Sequence, residues 1–455
     1  MKYEKIAERF FAVENKQRYY LVYTYPMQVF EIEASSLSET VQSGKELLKE
    51  NEIVISKRNE DFHNFFSLDW LITADCNLNC AHCFAKKTGE NYRYGLSEPT
   101  LSYSHIEKSV HLALAILAEH LDPHDPIVRF ELFIIGGEPL LEKNLIYKGV
   151  DLLDKQLEQF RVEHNLDKID RQVMIVSNGI EIDDEFVEFC LSSNIGITIS
   201  VDAPGYMQKI DANGCNYTPK VINNIKLLLD RGVYNVAVNF VIPPNKLNET
   251  DKVFSYLESE GILHKLKTVQ MSPKIPPHRQ TKYCGCNSSE IMISDFGNDY
   301  DACELFAEKM IGYERKYHMD IKEYNQKMHS LIEIGGMAYR CPAAQNKFCV
   351  VPGGDIYPCH QLIQITGFLL GNIDNLDLSS FESSSVCEKF SKRKVFDVKP
   401  CNNCLLQSVC ITFVDCPARC YLESGDMFQV PIHYCKIAKK YLENIFERFL
   451  ESLSG

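Results

Sequence analysis

Three cysteines on one short segment have the residue type and spacing for metal chemistry. Cys76, Cys80 and Cys83 follow the pattern C-x3-C-x2-C within CNLNCAHC. Three thiolates on one loop can bind three irons of a cubane cluster and leave the fourth iron open to another ligand. Structural zinc normally takes four protein ligands, and no fourth ligand stands nearby unless His82 serves. The spacing therefore favours an iron–sulfur cluster over zinc.

Small and polar residues follow three further apolar stretches of the same region. Adjacent glycines allow close approach of the backbone to a ligand, a carboxylate can pair with an ammonium group, and hydroxyl and amide groups suit ribose and amino-acid ends. Each group alone is common turn chemistry, but the three in series are not. In chain order the candidates are Gly136, Gly137 and Glu138, then Ser177 and Asn178, then Ser200 and Asp202.

The other cysteines are concentrated at the carboxyl-terminal end. Of 18 cysteines, eight fall in residues 1–340 and ten in residues 341–455. The segment VVPGGDIYPC is expected to form a hairpin that brings thiols towards one metal, and a C-x2-C-x5-C run follows at residues 401–410. Zinc knuckles share the C-x2-C spacing, but the whole set of thiols exceeds what one zinc ion could use.

Composition limits the classes of protein that need to be considered. The 455 residues are 45% hydrophobic and 24% charged, with a net charge of −14, which disfavours nucleic acid as a partner. No apolar run is long enough to predict a membrane span, and the amino-terminal residues lack the apolar centre of a signal peptide. We expect a cytoplasmic protein, where thiols more often serve metals or catalysis than disulfides.

The pattern of apolar residues predicts the elements that must position these groups. From about residue 66, six apolar strands alternate with amphipathic helices, near 101–120, 141–163, 183–193, 217–231, 248–261 and 300–315. Such alternation predicts a parallel α/β sheet, whose chemistry lies at the carboxyl ends of the strands. Two β-rich stretches and a helix over about 36–51 predict a small α+β segment over residues 1–65.

Together these motifs resemble the radical S-adenosylmethionine (SAM) enzymes, with CNLNCAHC as the cluster loop and GGEPLL as the motif after the second strand, over roughly residues 66–320. The resemblance implies a partial (β/α)6 TIM-type barrel in which SAM binds the open iron of a [4Fe–4S] cluster. One electron from a flavodoxin- or ferredoxin-type donor would then release a 5′-deoxyadenosyl radical. Under the resemblance, the three cysteines of the loop ligate the cluster and the seven polar and glycine candidates named above contact SAM.

Residues 321–455 resemble the SPASM domain, which holds two auxiliary [4Fe–4S] clusters in many peptide-modifying members of that family. The total would be three clusters. The resemblance assigns Cys341, Cys349, Cys359 and Cys416 to the first auxiliary cluster and Cys401, Cys404, Cys410 and Cys435 to the second. Cys420 would be a spare thiol, and Cys284 and Cys286 have no assigned role.

The resemblance also suggests a function. SPASM enzymes with the run YPCHQ, here residues 357–361, are largely maturases that cross-link ribosomally made, cysteine-rich precursor peptides through thioethers. Anaerobic sulfatase maturases, which make formylglycine, usually have an aspartate base after the equivalent of Cys359. Here that residue is His360, which favours the cross-linking maturase and makes His360 the candidate catalytic residue.

Two alternatives remain open from the sequence. The chain could be a metal-stabilised scaffold that only binds peptides, without membrane or nucleic-acid partners. Residues 1–65 could recognise the leader of a precursor by β-augmentation, or they could be a structural cap that packs on the barrel.

Overall fold

The computed structural model describes most of the chain. The described residues are 1–24, 27–49, 63–78, 80, 83, 85, 93–201, 211, 213–233, 235–242, 250–273, 300–317, 341–394, 397–407, 410 and 416–453. Contacts divide the chain into two compact units. The first comprises Met1–Asp61, Phe296–Cys341 and Arg393–Gly455, and the second comprises Phe62–Asp295 and Pro342–Lys392.

Strands and helices alternate through much of the described chain. The strands are β1 (Lys2–Ala7), β2 (Phe10–Asn15), β3 (Arg18–Thr24), β4 (Met27–Ile32), β5 (Phe65–Thr73), β6 (Ile127–Gly136), β7 (Lys168–Ser177), β8 (Ile195–Ser200), β9 (Val236–Ile242), β10 (Thr268–Pro273), β11 (Lys347–Val350), β12 (Asp355–Tyr357) and β13 (Gly371–Asn372). The α-helices are α1 (Leu37–Lys49), α2 (Tyr103–Glu119), α3 (Lys143–Glu163), α4 (Asp184–Ser192), α5 (Thr218–Asp230), α6 (Thr250–Ser259), α7 (Tyr300–Tyr317), α8 (Leu378–Glu382), α9 (Ser385–Ser391), α10 (Pro417–Ser424) and α11 (Ile432–Ser452).

The second unit contains the predicted parallel sheet. Strands β5 to β10 lie side by side in chain order, and each pair is parallel. The first of them, β5, is buried along nearly its whole length because helices and neighbouring strands cover it, as expected for parallel strands. Trp70 packs within this core and its indole N–H donates to Ser109 Oγ of α2 at 3.0 Å. The predicted partial (β/α)6 barrel is confirmed.

The sheet continues beyond β5 into a hairpin from the carboxyl-terminal part of the sequence. Strand β11 pairs with β5 in parallel, and β12 and β13 follow as antiparallel strands. The side-chain amide of Asn346 donates to Phe65 O at 2.9 Å, while Ser67 N donates to Asn346 O. Asn346 therefore fixes the entry of β11 beside β5.

The first unit contains a four-stranded antiparallel sheet, in the order β1-β2-β3-β4. Helix α1 covers one face, where Gly44 leaves room for the side chains of Ile6 and Leu21. Helix α11 lies on the other face, where the hydroxyl of Tyr20 donates to Leu450 O at 3.4 Å. The alternation of Tyr20 and Leu21 along β3 sends their side chains to opposite faces. No helix in the described ranges is long and apolar enough to cross a membrane.

Candidate functional site

The three-cysteine loop begins directly after β5, at the carboxyl end of the parallel sheet. Cys76, Cys80 and Cys83 are half-buried thiols, and Cys83 N donates to Cys80 O at 3.2 Å. Leu78 N donates to Cys76 Sγ at 3.4 Å. Cys83 also packs against an apolar cluster that includes Leu71 and Ile135. The fold thus holds three thiols on a short loop that is anchored to the core.

The Gly136–Gly137 pair forms a backbone contact with the start of this loop. Gly137 N donates to Thr73 O, and Glu138 N donates to Asp75 O, both at 2.7 Å. A Cβ atom on Gly137 would lie 2.2 Å from Asp75 O, which is closer than atoms can approach. Glycine is therefore required here because two strand ends meet backbone to backbone.

Glu138 joins the ends of β6 and β7. Its carboxylate is fully buried and accepts hydrogen bonds from Ser177 Oγ at 2.7 Å, Asn178 N at 2.6 Å and Leu140 N at 3.0 Å. Three donors of this kind stabilise a buried carboxylate. The structure therefore brings together the candidates from the second and third strand ends of the barrel.

Asn178 extends these contacts to the cysteine loop. Its Nδ2 donates to Asn77 Oδ1 at 2.7 Å and lies 4.0 Å from Cys76 Sγ. Asn77 in turn donates to Glu181 Oε1 at 2.8 Å. Neither Asn77 nor Glu181 was among the residues predicted from sequence, since asparagine and glutamate in loops carry no distinctive spacing.

The fourth predicted group is described only in part. Ser200 ends β8, is half-buried and pairs in register with Asn239 of β9. Asp202 lies outside the described residues, as do Cys284 and Cys286. The role predicted for Ser200 stays a prediction.

The predicted hairpin in the carboxyl-terminal sequence is observed in the second unit. Cys349 on β11 stands opposite Tyr357 on β12, and Cys359 follows two residues later. Gly353 and Gly354 make the turn with φ values of +87° and +83°, a conformation that favours glycine. Cys341 and Cys416, predicted to share a cluster with these thiols, belong to the first unit.

The other predicted thiol set lies wholly within the first unit. Cys401 and Cys435 pack against Val398 and Val430. Burial raises the pKa of Cys404 to about 12, with further increases from the charges of Cys410 and Cys435. Burial and the charge of Cys410 likewise raise the pKa of Cys435 to about 11. Cys404 N donates to Cys401 O at 2.9 Å, so Cys401 and Cys404 are neighbours, and Cys435 packs in the same apolar cluster as Cys401.

Thiols with raised pKa values stay protonated at neutral pH unless a metal displaces the proton. Within the described ranges, no three Cys, His, Asp or Glu side chains converge on the position of a single ion. Convergence on one position is the geometry of a site for a single metal ion. In a cubane cluster each protein ligand binds a different iron, so the thiols need not converge in this way. The donor set, which is made of thiols, suits iron–sulfur clusters.

Four further cysteines have buried or exposed positions in the structure. Cys420 is fully buried in the same apolar cluster as Cys401, and its Sγ lies 3.9 Å from Nη2 of Arg393. Burial raises the pKa values of Cys190 and Cys387 to about 12, as expected for thiols in a core. Cys215 is exposed.

His360 belongs to a buried charge network that sequence reasoning missed. Its Nδ1 lies 3.0 Å from Oδ2 of Asp69, and Lys347 Nζ donates to Asp69 Oδ1 at 2.5 Å. Burial alone would raise the pKa of Asp69, but the Lys347 ammonium and the His360 hydrogen bond outweigh it and hold the pKa at about 2. In the sequence, the only indication of this network was Asp69, the single charged residue in the apolar run FFSLDWLIT.

The barrel and its motifs match a known family. Residues 70–257 match the family model described as the radical SAM superfamily, and this range includes the cysteine loop and the Gly-Gly-Glu motif. The chain therefore contains a radical SAM domain. The scaffold alternative is therefore not retained. Radical SAM enzymes use SAM together with a [4Fe–4S] cluster.

This radical SAM enzyme is similar to one named enzyme over most of its length. The radical SAM cyclopropyl synthase TigE of Paramaledivibacter caminithermalis is 22% identical over 422 residues, which cover 90% of this chain and 79% of TigE.

Two solved structures share the fold. The structure of anSMEcpe with bound AdoMet and the Kp18Cys peptide is 18% identical, with a TM-score of 0.61, and the match covers 85% of this chain and 99% of that one. Streptococcus suis SuiB bound to its precursor peptide SuiA is 15% identical, with a TM-score of 0.50, and the match covers 88% and 81%.

The residues of this radical SAM enzyme fit the cofactors of the family. Three half-buried thiols lie on one loop, and N–H groups of Leu78 and Asn178 point towards Cys76 Sγ. Such donors stabilise thiolate ligands of iron. Cys76, Cys80 and Cys83 are thus the residues that would hold the cluster.

Proposed function

We propose that this radical SAM enzyme is a maturase that oxidatively cross-links a ribosomally synthesised precursor peptide, with a cysteine thioether as the product. The observation that carries the proposal is the group of thiols in the first unit, where Cys401 and Cys435 share an apolar cluster and Cys404 N donates to Cys401 O at 2.9 Å. A second cluster held there, in addition to the SAM cluster, gives the enzyme an acceptor for an electron from the substrate. A third cluster on Cys341, Cys349, Cys359 and Cys416 belongs to the same proposal.

The electron balance explains why an acceptor is needed. SAM, once reduced, supplies a 5′-deoxyadenosyl radical that takes one hydrogen atom from a substrate carbon. Formation of the carbon–sulfur bond then releases the thiol proton and one electron. The peptide thus loses two hydrogen atoms per bridge, and an external one-electron reductant supplies the electron that SAM consumes.

His360 is the proposed residue that faces the substrate near the hairpin thiols. It follows Cys359 directly, and its side chain is about one-third exposed while Asp69 behind it is fully buried. The hydrogen bond to Asp69 fixes the orientation of the imidazole. A carboxylate is thus present, but it supports the histidine and is itself buried, which favours cross-linking over formylglycine formation in this proposal.

In this proposal the leader of the precursor binds at the four-stranded sheet of the first unit. Strand β1 is an edge strand, and a groove of about 600 Å³ lies between it and α1. The groove is lined by Glu4, Ser36, Ser38, Glu39, Val41, Gln42 and Lys45. A peptide that adds to the β1 edge would gain backbone hydrogen bonds there.

Leader binding can be tested separately from catalysis. Gln42→Trp places a bulky ring in the groove, and Lys49→Trp makes the same change on α1 outside it. Only the first should weaken binding of a fluorescently labelled leader, measured by anisotropy. Equal binding by both variants would remove the groove from the proposal.

TigE is a cyclopropyl synthase, which adds a second candidate product, a cyclopropane formed by carbon–carbon closure. This closure also removes two hydrogen atoms from the peptide. It differs from a thioether in leaving every thiol free.

One experiment decides among these products. The reconstituted enzyme, SAM, a reductant and a cysteine-bearing precursor are incubated anaerobically, and the peptide is alkylated with iodoacetamide before mass spectrometry. A thioether gives a peptide lighter by two hydrogens with one fewer alkylated thiol per bridge, whereas a cyclopropane keeps all thiols. An aldehyde captured by hydrazide indicates formylglycine, and an unchanged peptide across several candidate precursors contradicts the maturase proposal.

A further inference from the structure

The side-chain amide of Asn178 has a single orientation that its partners allow. Asn178 Oδ1 accepts a hydrogen bond from Ile180 N at 2.9 Å, and a backbone N–H can only donate. Its Nδ2 must therefore face the cysteine loop. One of the two Nδ2 hydrogens goes to Asn77 Oδ1 at 2.7 Å, and Cys76 Sγ lies 4.0 Å from the same nitrogen.

Asn77 is oriented by the same logic. Its Nδ2 donates to Glu181 Oε1 at 2.8 Å, and a carboxylate only accepts. Its Oδ1 is then left to accept from Asn178. The direction of every hydrogen bond from Glu181 through Asn77 to Asn178 is thereby fixed, and the chain ends at a thiol of the cluster loop.

The backbone of Asn178 is equally constrained. Asn178 N donates to the buried carboxylate of Glu138 at 2.6 Å, and the side chain is itself buried. The Asn178 amide is thus held by hydrogen bonds of both its side chain and its backbone. It cannot turn away from the Cys76 sulfur without breaking these hydrogen bonds in a low-dielectric region.

We propose that Asn178 is a positioning residue for the cluster on Cys76, whose amide N–H directed at the Cys76 sulfur raises the reduction potential of that cluster. The inference rests on the proposed ligand role of Cys76. Hydrogen bonds to cluster sulfurs favour the reduced, more negative state and so raise the potential. A higher potential makes the electron that cleaves SAM easier to deliver.

The test replaces the amide without adding charge. In Asn178→Ser the hydroxyl can still accept from Ile180 N as an ST-turn, but no donor reaches Cys76. Asn216→Ser is the matched control, because exposed Asn216 accepts from Thr218 N at 3.0 Å in the same i to i+2 pattern. Redox titration of the reconstituted holoenzyme is followed by electron paramagnetic resonance, and the signal that changes on SAM addition identifies the cluster.

We expect a shift of the midpoint potential to more negative values in Asn178→Ser, with iron content retained and the control unchanged. Asn77→Ala, which removes the acceptor that holds the amide, should shift the potential in the same direction, and it decides the matter if Asn178→Ser loses iron. An unchanged potential in a fully loaded variant overturns the inference. A wild-type spectrum that does not respond to SAM would instead contradict the cluster assignment itself.

Discussion

His360 Nδ1 and Asp69 Oδ2 lie 3.0 Å apart, although 291 positions separate the two residues along the chain. The contact exists because β11 pairs with β5 and carries Lys347 next to Asp69. Asp69 thus interacts with two basic side chains in the second unit, Lys347 within the sheet and His360 after the hairpin. A buried carboxylate with such partners is a strong structural constraint.

Replacing Asp69 should destabilise the enzyme because the Lys347 ammonium, whose side chain is only 14% exposed, loses the carboxylate with which it pairs. We expect Asp69→Asn to lower the free energy of unfolding by about 3 kcal/mol, the lower end for breaking a buried pair. Chemical unfolding of the holoprotein under anaerobic conditions can be followed by fluorescence of Trp70, the one tryptophan of the chain. Asp69→Asn/Lys347→Met, which removes both charges, should recover most of the loss, and a double variant no more stable than Asp69→Asn would refute the ion-pair explanation.

The ion pair between Asp69 and Lys347 predicts that the stability of the fold depends on pH. The folded-state pKa of Asp69, about 2, lies below its ordinary value of 3.8. The ionised carboxylate therefore stabilises the fold above about pH 4, and this contribution is lost as the pH falls towards 2. After pH jumps, the ratio of unfolding rates for Asp69→Asn and the wild type should approach one near pH 2. If the ratio of unfolding rates stayed constant from pH 4 to 2, the Asp69 carboxylate would not be the group that titrates in this range.

Glu138→Gln should weaken both the fold and SAM binding. The glutamine amide would point a donor at a group that itself donates, since Asn178 N and Leu140 N cannot reverse their roles. We expect a loss of about 2 kcal/mol of stability, as for charge-assisted hydrogen bonds. Because Glu138 joins two strand ends at the cysteine loop, SAM affinity and cleavage to 5′-deoxyadenosine should fall as well.

Glu142→Gln is the control for this change. Glu142 is half-buried and accepts from Thr100 Oγ1 at 3.3 Å, a longer bond to a neutral donor. The free energy of unfolding of Glu142→Gln should differ from that of the wild type by less than about 1 kcal/mol. Equal behaviour of the two variants in unfolding and in SAM titrations would show that the contacts of Glu138 are unimportant.

Local periodicity made much of this architecture predictable. The helix predicted near 141–163 is observed at Lys143–Glu163, and the apolar strand expected after it is observed at Lys168–Ser177. Both elements bury a regular apolar face, which is visible in the sequence. By contrast, β1 has the sequence KYEKIA and is half charged, so its strand character depends on pairing with β2.

The site was predictable as a set of groups at strand ends but not as a network of contacts. Spacing and chain order indicated Cys76, Glu138 and Asn178. The hydrogen bonds between Glu138 and Asn178, or between Lys347 and Asp69, join residues 40 and 278 positions apart. Such pairings depend on sheet topology, and no single-sequence pattern encodes them.

The last prediction concerns metal content. Three [4Fe–4S] clusters require about twelve iron and twelve sulfide per chain after anaerobic reconstitution. Replacing Cys76, Cys80 and Cys83 together by Ala should remove about four irons and abolish SAM cleavage, while the thiols near Cys404 and Cys435 keep theirs. Cys190→Ala is the control, because Cys190 is buried in a helix and its raised pKa marks an inert thiol. Iron and sulfide assays with electron paramagnetic resonance measure the outcome. Loss of all iron in the triple variant, or stoichiometric zinc in the wild type, would contradict separate clusters on separate thiol sets.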